Sequence, residues 1–253
     1  MFPLKDNIPT DRTPFVTIGL IVANVLVYFL WQKGGLSIGS PSGRHYLVNL
    51  YEHGLIPYNV THPGQHCAQL TSGPLTCHIT DLSPTWSTPF TAMFMHGGLL
   101  HLGGNMLFLW IFGNNVEDSM GRARYIAFYV LGGLAAFALQ IAVGPSSTVP
   151  NIGASGAIAA VLGGYILLYP RARVLTFVFI ILFFTVIELP ALVVLGLWFA
   201  EQVLFGAAGL TQGGGSGGGV AYFAHIGGFA FGLLLIRAFV RRVKETPPRL
   251  PVW

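Results

Sequence analysis

Six stretches of this 253-residue chain carry almost no charge, and each approaches the length that an α-helix needs to cross a lipid layer, about 20 residues for about 30 Å of hydrocarbon. Backbone N–H and C=O groups find no water at that depth and must be paired within the segment, which dictates helix. The predicted fold class is therefore all-α, a polytopic membrane bundle of six transmembrane helices. Only 9% of the residues are charged, 53% are hydrophobic and the mean hydropathy is +0.65, whereas soluble domains are nearer a quarter charged. A single-pass or peripheral protein would leave most of the chain unexplained.

The predicted spans are residues 14–32, 95–114, 122–144, 151–169, 190–208 and 220–240 of one membrane domain covering 1–253. The first is read as a retained span, because its leading segment mixes Lys5 and Arg12 with Asp6 and Asp11 and no small-residue cleavage pattern follows. Charge orients the bundle. With six crossings, Lys5, Arg12, Arg122, Arg124, Arg171, Arg173, Arg237, Arg241, Arg242, Lys244 and Arg249 share one side, leaving only Lys33 and Arg44 on the other. The positive-inside rule then makes both termini cytoplasmic, with a basic tail at 241–253. A seventh crossing through the apolar residues 174–189 would destroy this bias, so that segment is expected to lie along the cytoplasmic interface or to dip in and return.

The hydrophilic stretch 34–89 becomes a long extracytoplasmic first loop. Its Cys67 and Cys77 would sit in an oxidising space and suit a local disulfide. His62, His66, Cys67, Cys77 and His78 could instead bind a metal, although their spacing matches no standard structural site. No metal is assigned.

Chemistry concentrates at three places. Gly153-Ala154-Ser155-Gly156 puts a small-residue turn and a hydroxyl near the outer end of the fourth span; such a hydroxyl alone more often bonds back to its own helix. His225 lies inside the sixth span, where an ionisable side chain is a functional candidate by default. Both spans descend from the outer face, and at about 1.5 Å per residue Ser155 and His225 lie at a common depth of roughly 6 to 8 Å. A hydroxyl in reach of an imidazole can lose its proton on attack. In the second span, His101 and Asn105 are four apart and share a helical face; with a backbone N–H near Ser155 they would form an oxyanion hole. The bland alternative is interhelical hydrogen bonding. His96 lies near the loop and would fix its base. Gly228 and Gly232 of the sixth span, like Gly132-Gly133 and Gly163-Gly164, predict close helix packing. No acidic residue shares a descending span at the active depth, so the expected unit is a Ser–His dyad with no carboxylate to orient the imidazole. The glycine-rich residues 211–219 would be a lid over the sixth span.

The ordered set His96-x4-His101-x3-Asn105, Gly113-Asn114-Asn115-Val116-Glu117-Asp118 with Gly121, Gly153-Ala154-Ser155-Gly156, and Ala224-His225-x2-Gly228-x3-Gly232 resembles the rhomboid family of intramembrane serine proteases, of bacterial type. The resemblance implies that Ser155 attacks, that His225 acts as base and then acid, and that His101, Asn105 and the Ser155 N–H hold the oxyanion. It also implies transmembrane protein substrates within membrane lipid, no cofactor and no nucleic acid. The location it implies is a bacterial inner membrane with the site open to the extracytoplasmic side. Two departures stand out: Ala159 occupies the place where some relatives stack a Tyr on the catalytic His, and the Trp-Arg pair of some first loops is absent, although Trp86 lies there. The alternatives are a proteolytically inactive relative that binds membrane clients and, from another class, a channel or transporter.

Overall fold

The computed structural model describes residues 2–63, 67–68, 76–77, 84–180, 183–211 and 220–244. In chain order the elements are β1 (Phe2–Asp6), α1 (Phe15–Leu26, prolonged by a π-helical turn over Val27–Trp31), α2 (Arg44–His53), α3 (Pro57–Thr61), β2 (Cys67–Ala68), β3 (Thr76–Cys77) and α4 (Thr88–Ala92). Then follow α5 (Leu99–Phe108, prolonged by a π-helical turn over Leu109–Gly113), α6 (Asn114–Met120), α7 (Arg122–Val143), α8 (Ser155–Leu168), β4 (Arg173–Ile180), β5 (Phe183–Pro190), α9 (Ala191–Thr211) and α10 (Tyr222–Phe239). Helices of differing length stand at the six places of the apolar runs. Three of them, α7, α9 and α10, are both long and apolar enough to cross a membrane, while Phe15–Trp31 and Ser155–Leu168 are shorter apolar helices.

α8 is the axis of the bundle. Gly156 through Ile166 are all buried, as expected of a helix that is apolar on every side. Its closest neighbours are α10 and α7, and glycine is what lets them approach. A Cβ at Gly228 would collide with the Gly156 carbonyl, one at Gly232 with the Ala160 carbonyl, and one at Gly163 with the Phe229 carbonyl. Backbone therefore lies on backbone along the α8–α10 seam, the small-residue mode of packing in lipid.

The all-α expectation fails at two sheets, the short pair β2–β3 and a larger one. Over residues 174–189, expected to lie along the interface or to dip in and return, β4 and β5 form an antiparallel hairpin, from Arg173 opposite Pro190 to Ile180 opposite Phe183, and β1 joins the other edge of β4. The run is rich in Val, Ile, Phe and Thr, which favour the pleated backbone. Its side chains alternate on β4, with Val174, Thr176 and Val178 buried while Leu175, Phe177 and Phe179 face out. The two ends of the hairpin are tied where the Ala191 N–H donates to the Ala172 carbonyl at 2.8 Å. In the first loop, β2 and β3 set Cys67 opposite Cys77 across an antiparallel pair; His66, His78 and the two cysteine side chains lie outside the described residues, as do residues 212–219 of the expected lid.

At the end of the bundle that holds β1 and residues 241–244, the Asn115-Val116-Glu117-Asp118 segment serves the fold. Glu117 accepts from the Val16 and Thr17 N–H groups at 3.0 and 2.8 Å and from the Thr17 hydroxyl, capping α1. Asn115 donates to Asp6 at 2.7 Å, and the Tyr165 hydroxyl does so at 2.6 Å. Burial pushes the Asp6 carboxyl up to about 6, which these two hydrogen bonds offset only in part. Asp118 accepts from the Asp11 N–H and from Arg242, both at 2.8 Å, and pairs with Lys244. Burial raises its carboxyl, but the bonds from Lys244, the Asp11 N–H and Arg242 outweigh that and hold it below the usual carboxylate range.

Candidate active site

Gly153 has a φ of +126°, a conformation that suits glycine alone, and it turns the chain so that α8 begins at Ser155. The first N–H groups of a helix have no partner within it, so the Ser155 amide is presented along with the hydroxyl. The opposite wall is α10. Its start is fixed by Gln140 of α7, whose Oε1 accepts from the Ala224 N–H at 3.1 Å. Gly228 and Gly232 then bring α10 down onto α8, and His225 Nε2 stands 2.8 Å from Ser155 Oγ.

The other ring nitrogen of His225 is engaged. Nδ1 lies 2.7 Å from Oε1 of Gln202, a buried side chain of α9. Gln202 Nε2 in turn donates to the Trp198 carbonyl one turn earlier, at 3.3 Å. The Trp198 ring flanks the imidazole, with centroids 5.7 Å apart and planes inclined by 36°. Among the described residues no carboxylate meets the imidazole; the group at Nδ1 is an amide that the sequence reading did not foresee. Trp198, from α9, is thus an aromatic beside the imidazole.

His101 and Asn105 come from α5. The Gly97 N–H donates to His101 Nδ1 at 3.2 Å, so the ring proton sits on Nε2. That nitrogen points over Gly153: a Cβ there would come within 2.8 Å of it and within 3.4 Å of Ser155 Oγ. Asn105 is buried, and its Nδ2 has no hydrogen-bond partner. Both residues line the same cavity as Ser155 and His225, a space of about 500 Å³ whose apolar wall includes Phe108, Leu162 and Trp198. Buried donors normally find partners, and an unpaired one facing a cavity beside a hydroxyl and an imidazole is placed to receive a ligand oxygen.

His96 does not line the cavity. It is fully buried, its N–H donates to Gln32 Oε1 and its carbonyl accepts from Gln32 Nε2, both at 2.9 Å, and its ring meets His101 edge-on at 5.1 Å. Gly156 packs against α7, where a Cβ would meet that of Ala136 at 2.6 Å. Sequence reasoning passed over Gln202, Trp198, Gln140 and Gln32. The available signal was polarity: Glu201 and Gln202 interrupt an otherwise apolar α9, and a polar residue in such a helix needs a partner.

A helical membrane protein with a serine, an imidazole and two further donors around one cavity is the class that fold and site define. The rhomboid domain model matches residues 83–242, and the chain belongs to the rhomboid family. It is 33% identical over 147 residues to rhomboid protein 1, mitochondrial, of Saccharomyces cerevisiae, covering 56% of this chain and 38% of that protein. It is 24% identical to the presenilin-associated rhomboid-like protein, mitochondrial, of Mus musculus, over 93% of this chain and 52% of the relative. Identity to rhomboid-like protein 11, chloroplastic, of Arabidopsis thaliana is 30%, over 60% of this chain and 52% of that one. The chain spans about half or less of the length of these relatives. Their mitochondrial and chloroplastic names overturn the expectation of a bacterial inner membrane and point to an organellar one.

Proposed function

We propose that this rhomboid-family protein is an intramembrane serine endopeptidase that hydrolyses peptide bonds in or near the transmembrane segments of other membrane proteins. The observation that carries the reading is the 2.8 Å approach of His225 Nε2 to Ser155 Oγ at a cavity that Asn105 also lines, its Nδ2 buried and unpaired.

The chemistry follows from the geometry. Ser155 Oγ attacks the scissile carbonyl carbon while its proton passes to His225 Nε2. The carbonyl oxygen becomes an oxyanion, met by the Ser155 N–H, His101 Nε2–H and Asn105 Nδ2–H; preorganised donors of this kind act most strongly in a low-dielectric site. The imidazolium returns its proton to the departing amine, and the C–N bond breaks. Water, deprotonated by the same imidazole, then opens the acyl-serine and releases the carboxylate.

Six crossings suit this reading. α1, the stretch from α5 through its π-helical turn, and α7 to α10 stand at the places of the apolar runs. α8 is shorter, 14 residues, but it is shielded by its neighbours on nearly every side and need not meet both surfaces itself. The test is covalent: the detergent-purified protein is treated with a fluorophosphonate and the adduct located by mass spectrometry. Labelling on Ser155 that is lost in His225→Ala is expected. A folded protein whose cavity admits the probe but whose Ser155 stays unmodified contradicts the proposal.

A further inference from the structure

The chain of contacts that begins at Ser155 runs past His225 to α9 and ends on a backbone carbonyl. Each link has a fixed direction. The Trp198 carbonyl can only accept, so the amide nitrogen of Gln202 must face it, which leaves the amide oxygen facing His225 Nδ1 at 2.7 Å. An amide oxygen can only accept in turn, so Nδ1 must carry the imidazole proton. Nε2 is then a lone pair 2.8 Å from the serine hydroxyl, the one tautomer in which the ring can take that proton. Were the amide reversed, its NH2 would force the proton onto Nε2, and Ser155 would face a donor.

Gln202 is buried, at 6% exposure, so water does not offer Nδ1 an equivalent acceptor. The spacing helps as well: Trp198 and Gln202 are four residues apart on α9 and share one face, so a single helix supplies the ring beside the imidazole, the carbonyl that orients the amide and the amide that orients the imidazole.

We propose that Gln202 is a positioning residue for His225, holding the imidazole in the Nδ1–H tautomer and in the rotamer that meets Ser155. Its consequence for catalysis rests on the protease reading above; the tautomer itself does not.

The experiment pairs two readouts on the full-length protein in detergent, as wild type, Gln202→Leu and Gln202→Asn. Leu removes the acceptor at similar volume, and Asn keeps an amide too short to reach, so that a folded comparison remains if the apolar variant does not fold. The first readout is the 15N spectrum of the histidine-labelled protein, with the His225 signals assigned by their loss in His225→Gln. The expected result is a single Nδ1–H tautomer at His225 in the wild type, replaced by a mixture or by the Nε2–H form in the variants. The second is the rate of fluorophosphonate labelling at Ser155, expected to fall about 10- to 100-fold, the scale on which partners that orient a histidine act at metal sites. Folded variants that keep the single Nδ1–H tautomer and the wild-type labelling rate overturn the proposal. If the wild type labels at no serine, the protease reading fails and the nitrogen spectrum alone decides the role of Gln202: loss of the Nδ1–H form in the variants upholds it, and retention refutes it.

Discussion

Gly153 is the residue on which the site turns, since its φ of +126° starts α8 at Ser155 and its missing side chain leaves room for His101 Nε2. Gly153→Ala combines a strained backbone, worth about 1–3 kcal/mol, with a collision against that ring. It is expected to lower the unfolding temperature and to abolish Ser155 labelling, in contrast to Asn105→Ala, which leaves the fold intact and slows turnover by about 10²-fold, the scale for a single oxyanion donor. Parallel thermal melts and cleavage rates distinguish the two; wild-type turnover in a folded Asn105→Ala protein contradicts its role. Ser155, His225, His101 and Asn105 were legible in the sequence because hydroxyl, imidazole and amide groups are costly inside apolar helices and three of the helices descend from the same face. Gln202 was not: the predicted topology runs its helix up from the opposite face, and depth was compared only among descending spans, so it was never set alongside His225. Ala159 announced that no aromatic stands at that position, but not that Trp198 of α9 would lie beside His225.

Between elements, the α8–α10 seam depends on three glycines that meet backbone carbonyls, and the repeated small residues made that packing readable in advance. A branched side chain has nowhere to go: Gly228→Val is expected to cost at least the 1–3 kcal/mol typical of overpacking, seen as a lower unfolding temperature, with Ser155 labelling lost as His225 moves away. The hairpin was less legible. The sixteen residues 174–189, mostly apolar with Glu188 their one charge, carry no helical or strand period strong enough to choose between a buried strand and a helix by pattern alone, and β1, its third strand, comes from the far end of the chain. Pairing with β1 has a pH signature through Asp6. Because its carboxyl is raised from 3.8 to about 6 in the folded protein, the native state binds the extra proton; that stabilisation is complete below 3.8 and disappears as the pH rises through about 6. The unfolding temperature is expected to fall across that interval, and Asp6→Asn to flatten the slope. An identical slope in the variant would assign it to another group.

At the scale of the whole molecule, the chain is closed by a clamp. Asp118 gathers the N-terminal segment through the Asp11 N–H and the C-terminal segment through Arg242 and Lys244, at the end of the bundle away from Ser155. Its carboxyl is held low, so the stability it gives is full above the ordinary value of 3.8 and is lost as the pH falls through its lower native value. Asp118→Asn is expected to lower the unfolding temperature at neutral pH and to make little difference in strong acid. That the chain is a helical membrane protein could be inferred from apolar length, whereas its compartment could not: the positive-inside count orients a protein in any membrane it follows, and the mitochondrial and chloroplastic relatives point to an organelle. What unites the scales is that glycine seams, buried amides and the terminal clamp all serve to hold one serine against one imidazole. The most direct measurement is cleavage of a single-span substrate co-reconstituted with the protein in liposomes, its products identified by mass spectrometry. The account predicts one internal cut in or beside the spanning segment, absent with Ser155→Ala and with His225→Ala. Cleavage that survives either substitution, or an uncut substrate that stays bound to the folded wild type, would contradict it.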